Sequence, residues 1–235
     1  MPKLKISKEQ EFFYKVSHET FKNDYINGNA VTKSIDELIN TKQRYLTLIN
    51  VVDVLILSNN IIRRLFIINP NLYKQEIPHI TIDSHRKVED ASIELISTNE
   101  ELEAYCQILD EEVSKESYFP TKLKGLNFGK DGIIIPVYFE YNRMIDFTSS
   151  LGEKIRKEVP RFDFEWHLVK DRLPIRAINL ARFTGNEDKD TIVKFIEEYK
   201  DYYFGLIDID IVKLVMADKY IQEKKMHIIK SYNFN

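Results

Sequence analysis

Between Tyr45 and Ile68 the apolar residues change period, and that change restricts the fold more than any other feature of the chain. Tyr45-Leu46-Thr47-Leu48-Ile49-Asn50-Val51 has the apolar and β-branched content of a buried strand. Val54, Leu57, Ile61, Leu65 and Ile68 then recur at three- and four-residue steps, the stripe of a helix lying on a sheet. Asn69-Pro70 ends that helix, because proline drives its predecessor out of the helical region. Asp53, Asn59, Asn60, Arg63 and Arg64 interrupt the same apolar run, and a membrane-spanning helix would bury them at several kcal/mol in total. A strand and then a helix within a soluble core is the reading that fits.

The rest of the chain repeats this mixture without a long parallel rhythm. An amphipathic helix is expected from Ser7 to about Asp24, with Phe12, Phe13, Val16, Phe21 and Tyr25 near helical spacing. Asn27-Gly28-Asn29 breaks it, and Ser34-Ile35-Asp36-Glu37 starts a short second helix. Residues 1–43 are therefore read as a helical N-terminal extension and 44–235 as the main domain. Strands are expected at 78–83, 92–96, 119–128, 133–140, 162–169, 177–183, 206–216 and 226–232. Helices are expected near 99–112, 144–158 and 188–202. Strands alternating irregularly with helices indicate an α+β sheet fold.

Composition removes several function classes. With a formal net charge of −3, the chain lacks the basic footprint of a non-specific duplex binder. One cysteine, Cys106, excludes an internal disulfide framework and a cysteine zinc cluster. None of the seven glycines lies in a phosphate-cradling loop. The histidines show no HExxH spacing, and Glu100-Glu101 and Asp110-Glu111-Glu112 read as solvated helix faces, so neither metal nor cofactor is expected. The start MPKLKISKEQ carries no apolar stretch followed by small residues, which leads to the expectation of a cytoplasmic protein with no membrane partner.

The segment Pro78-His79-Ile80-Thr81-Ile82 carries chemical content. On a strand, His79 and Thr81 share one face and Ile80 and Ile82 the other. An imidazole moves a proton near neutrality and a hydroxyl donates to a phosphate oxygen, so this pair suits a phosphoester. On the tripeptide alone, the polar face of a half-buried strand explains the same residues.

The wider pattern resembles the two-histidine (2H) phosphoesterase superfamily, which includes 2′-5′ RNA ligase-like proteins and cyclic phosphodiesterases. RYLTLINVV, an apolar helix and PHITI are similar to its first half. KLKGLNFGKDGIIIPVYFE with the helix MIDFTSSLGEKIRKE resembles the segment between its two motifs. INLARFTG resembles its second His-x-Thr-Leu-Ala-Arg strand, about one hundred residues after the first, and FGLIDIDIVKLVMADKYIQEKKMHIIKSYNF its closing strands. The resemblance implies two antiparallel sheets facing across a cleft, each contributing one motif strand. It also implies RNA or a small phosphodiester nucleotide as ligand. The extension is the candidate surface for a protein partner.

The chain departs from the family at the second motif. Aligning Leu180-Ala181-Arg182 places Ala177 where the second histidine belongs and Asn179 where its hydroxyl residue belongs. Alanine carries no proton, while an asparagine amide still donates to phosphate. Losing one proton-transfer partner forfeits about 10²–10⁴-fold in rate. The expectation is a nucleotide- or RNA-binding protein with lost or reduced catalysis. The alternative is an active 2′,3′-cyclic or 2′-5′ phosphodiesterase in which His167, ten residues before Ala177, replaces the missing acid or base. His167 also permits a second alignment, with Val169 at the hydroxyl position. Candidate catalytic residues are thus His79, Thr81 and His167, and candidate substrate-binding residues are Asn179, Arg182, Arg176 and Arg86. Lys122 and Lys124 share a strand face, and Lys154, Arg156, Lys157 and Arg161 cluster at a helix end, where the dipole favours cations without any ligand.

Overall fold

Three isoleucines set the layering. In the computed structural model, which describes residues 7–40, 44–52, 59–88, 100–159, 176–218 and 220–235, Ile80, Ile178 and Ile135 stand in one cross-strand row. All three are fully buried, and each contributes about 1.5–3 kcal/mol relative to exposure. They belong to β3 (His79–Val88), β7 (Arg176–Arg182) and β6 (Gly132–Phe139). The other strands are β1 (Arg44–Val51), β2 (Tyr73–Lys74), β4 (Phe119–Lys124), β5 (Asn127–Phe128), β8 (Tyr203–Ile209), β9 (Ile211–Asp218) and β10 (His227–Asn233). Their hydrogen-bonded order is β10-β9-β1-β3-β7-β6-β4-β8, with β2 joined to β7 and β5 to β6. Every registered pair is antiparallel, and the two halves meet at a single registered pair, Ile80 with Ile178.

Helices cover the isoleucine face. Leu65 of α3 (Asn60–Ile68), Leu109 of α4 (Glu100–Val113), Leu151 of α5 (Tyr141–Glu158) and Ile196 of α6 (Lys189–Tyr199) share one buried cluster with that row. A smaller cluster of Ile49, Val215, Ala217 and Ile221 is separate from it. The mixed α+β class expected from the sequence is present. The strands expected at 92–96 and 162–169, and the first turns of the helix after β1, lie outside the described residues.

Two expected elements divide: 119–128 breaks into β4 and β5 around Gly125, which has φ 85, and 206–216 breaks into β8 and β9. Residues 206–216 read as a continuous strand, but β8 pairs with β4 while β9 pairs with β1 and β10 in the other half of the sheet. The change falls at Asp210, whose carbonyl accepts the amide of Phe234 at 2.8 Å. The Ile-Asp-Ile-Asp-Ile alternation conceals the break. Ile209 and Val212 are both fully buried, so the inward phase slips by one residue across it.

The extension begins with α1 (Lys8–Ile26), capped by Ser7, whose hydroxyl accepts from the Gln10 amide. Its inward stripe is Gln10, Tyr14, His18 and Tyr25, not the Phe12 and Val16 side, which stays exposed. The reason is chemical. The Tyr14 hydroxyl lies 2.8 Å from the Val137 carbonyl and 2.5 Å from that of Arg176, and accepts the Arg176 amide at 3.2 Å. A phenylalanine would leave those groups unsatisfied. Short helix α2 (Ile35–Ile39) follows with the expected capping box between Ser34 and Glu37.

At the β6–β7 bulge the strands approach so closely that a Cβ on Gly132 would collide with the Ala181 carbonyl oxygen. Only glycine fits there.

Candidate functional site

Opposite the helix-covered face, the β3–β7 seam carries two polar rows. Because Ile80 pairs with Ile178 in antiparallel register, His79 stands across from Asn179 and Thr81 across from Ala177. The rows continue outward: Val51 pairs with His79 and Ile134 with Asn179, while Ile49 pairs with Thr81 and Pro136 with Ala177. Alternation places all four motif positions on the same face, opposite the isoleucines. Thr81, Ala177 and Asn179 are partly exposed, and His79 is 4% exposed.

His79 is held in one tautomer. Its Nδ1 lies 2.8 Å from the Ile77 carbonyl oxygen, which can only accept, so Nδ1 carries the proton and Nε2 the lone pair. Burial lowers the imidazole pKa to about 4, with the positive charge of Arg182 acting in the same direction and the Ile77 bond against it. Near neutrality this ring is therefore an uncharged base and carries no proton on Nε2 to give away.

Arg182 follows the bulge and pairs with Gly132, which returns it to the same face. It is 8% exposed, forms an ion pair through Nη1 with Asp131 Oδ1, and lies over the Tyr220 ring at 5.4 Å. Arg176 points elsewhere. Its Nη2 donates to the Ile82 carbonyl at 2.6 Å, bridging the two halves of the sheet. Arg86 stands on β3 in register with Leu46. His167 lies outside the described residues. The seam thus brings His79, Thr81, Asn179 and Arg182 together.

Sequence reasoning missed three neighbours of Arg182. Asp131 sits in the Gly129-Lys130-Asp131-Gly132 turn between β5 and β6, and the pairing of Gly132 with Arg182 places it there; that turn was its only signal. Tyr220 and Lys33 come from distant loops and carry no local signature. Lys33 Nζ lies 5.7 Å from the Tyr220 ring centroid.

Among the described residues, His18, Glu19 and Glu197 form the one group whose ligand atoms gather closely enough to hold a metal ion. Lys22 Nζ already lies 2.5 Å from Glu197 Oε1 and Lys200 Nζ 2.9 Å from Oε2. Burial pushes the Glu197 carboxyl up, but the bonds from Lys22, Lys200 and His18 prevail and bring it down to about 2. A metal ion there would have to displace two ammonium groups. No helix among the described residues is long and apolar enough to cross a membrane.

No protein-family model matches the sequence, and no curated protein does. Solved structures do match the fold. TT0787 of Thermus thermophilus aligns with a TM-score of 0.54 at 14% identity, over 81% of this chain and 97% of its own. A protein described as a phosphoesterase aligns with a TM-score of 0.50 at 11% identity, over 82% and 98%. LigT of E. coli, crystallised with ATP, gives a TM-score of 0.46 at 10% identity, over 82% and 99%. The chain thus shares its fold with TT0787 and with the structure described as a phosphoesterase over about four-fifths of its length.

Proposed function

We propose that this chain, built on a phosphoesterase-like fold, binds the phosphodiester end of RNA or of a small nucleotide at the β3–β7 seam and turns it over slowly or not at all. The observation that carries this reading is the pair of rows on the open face, His79 across from Asn179 and Thr81 across from Ala177. The Thr81 hydroxyl and Asn179 amide donate to non-bridging phosphate oxygens, and Nε2 of His79 accepts a proton from an attacking water or ribose hydroxyl. Opening a 2′,3′-cyclic or 2′-5′ linkage also needs a proton delivered to the leaving oxygen. Position 177, across from Thr81, holds a methyl group and supplies none. The fixed lone pair on Nε2 favours a second reading, an active hydrolase with an acid drawn from another part of the chain.

Purified protein is incubated with 2′,3′-cyclic nucleotides and 2′-5′ oligoadenylates beside His79→Ala, with binding followed by calorimetry. Saturable binding with turnover at least about 100-fold below that of an active phosphodiesterase is the expected result. Efficient turnover abolished by His79→Ala would establish the second reading instead, and absence of binding would remove both.

A further inference from the structure

Strand β7 is sparsely tied to its neighbours where it enters the seam. It pairs with β3 in the single register position Ile80 and Ile178, to which Arg176 adds one bond from Nη2 to the Ile82 carbonyl at 2.6 Å. On its other side Ala177 stands across from Pro136, a residue with no N–H to give to the ladder. The next pair, Val137 with Arg176, carries a group from outside the sheet. The Tyr14 hydroxyl lies 2.8 Å from the Val137 carbonyl oxygen and 2.5 Å from that of Arg176, and accepts the Arg176 amide at 3.2 Å. One hydroxyl from α1 therefore engages the backbone immediately before position 177.

That hydroxyl is itself held in place. Tyr14 is 3% exposed, its ring packs on Tyr138 at 4.9 Å, and its carbonyl accepts from Asn127 Nδ2 at 3.4 Å. Further along α1, His18 Nε2 lies 3.2 Å from Glu197 Oε1, and Lys22 Nζ lies 2.5 Å from the same oxygen. The helix is thus fastened to β5 and α6 independently of β7. Tyr138 alternates with Val137 and Phe139, which belong to the main buried cluster, so its ring occupies the face that carries the motif positions. α1 accordingly crosses that face beside Ala177. A phenylalanine ring would satisfy the packing on Tyr138; only the hydroxyl reaches the backbone of β7.

We infer that Tyr14 is a positioning residue of the nucleotide site: its hydroxyl fixes the start of β7, and with it the spacing of Ala177 and Asn179 from Thr81 and His79. The inference rests on the reading of the seam given above. A phosphate held by the Thr81 hydroxyl and the Asn179 amide is gripped from both strands at once, so a displacement of about 1 Å costs one of the two bonds. A single registered pair leaves that spacing to whatever holds β7 from its other side. The N-terminal helix is then part of the site without touching the ligand.

The test is calorimetry on the full chain with adenosine 2′,3′-cyclic phosphate, comparing the wild type with Tyr14→Phe and Lys22→Gln at a temperature where melting curves show each folded. Lys22→Gln loosens α1 at Glu197 and leaves the groups around Arg176 in place. Tyr14→Phe is expected to weaken binding about tenfold, and Lys22→Gln to leave it unchanged. Amide hydrogen exchange gives a readout that a general loss of stability does not reproduce. In Tyr14→Phe the Arg176 and Ala177 amides are expected to exchange about tenfold faster relative to Leu180 and Ala181 of the same strand. The converse is read in the wild type, whatever the stability of the variant: saturating nucleotide is expected to slow exchange at Arg176 and Ala177. Equal affinity in a folded Tyr14→Phe, an equal loss in Lys22→Gln, or wild-type exchange at Arg176 unmoved by bound nucleotide overturns the positioning role and leaves the seam reading intact. Absence of binding to the wild type removes both.

Discussion

The strands β3 and β7 lie side by side in one sheet, share the same buried isoleucine row, and differ in what they present on the other face. β3 offers an imidazole and a hydroxyl, whereas β7 offers a methyl group and an amide. Packing treats the two as equivalents because Ile80 and Ile178 are both fully buried. Apart from buried His79, the motif positions on that face are partly exposed, so they can diverge without disturbing the isoleucine row. Proton transfer demands a titratable group at each end of the reaction, and only β3 has one at the seam.

Restoring the symmetry gives the largest expected effect. Ala177→His is expected to raise hydrolysis of 2′,3′-cyclic nucleotides by about 10²–10⁴-fold, and His79→Ala in that background to abolish the gain. If product formation stays at the wild-type level in a folded Ala177→His protein, the two strands are not functional counterparts.

A smaller effect comes from the unequal titration of the strands. The folded His79 pKa, about 4, lies below the ordinary histidine value of 6.5, so the unfolded chain binds the extra proton first as pH falls. The stability associated with this group is complete above about pH 6.5 and declines toward pH 4. The loss amounts to about 3 kcal/mol. Urea titrations across that window should show the slope in the wild type and a flatter one in His79→Gln. An unchanged slope would mean that the ring is solvated in the folded protein.

Binding sharpens the comparison further. Thr81→Val and Asn179→Ala are each expected to weaken nucleotide binding about tenfold, since each removes one donor to phosphate. A loss confined to Thr81→Val would assign phosphate binding to β3 alone. Smallest is Tyr14→Phe, which should cost about 1–2 kcal/mol by unpairing the backbone of Val137 and Arg176. Thermal melting measures it, and a neutral result would show that the ladder closes without the hydroxyl.

Much of the layout was legible in residue order. The switch of period after Val51, the capping pair Ser34 and Glu37, and the His-x-Thr alternation each have local causes, and each is found in the structure where it falls on described residues. The split at Asp210 was not legible, because the inward phase changes there while the sequence keeps alternating. The stripe of α1 misleads for a related reason. Hydrophobicity favours Phe12 and Val16, whereas the surface it meets offers hydrogen-bonding backbone groups that select Tyr14.

The amino-acid order by itself determined the mixed class and the shared strand face of His79 and Thr81, because these depend on side-chain chemistry and local periodicity. Tertiary structure alone decided that Asn179 faces His79, that Nδ1 is spent on Ile77, and that Lys33 and Tyr220 join Arg182. Those juxtapositions link residues up to 187 positions apart, a separation over which no local pattern carries information.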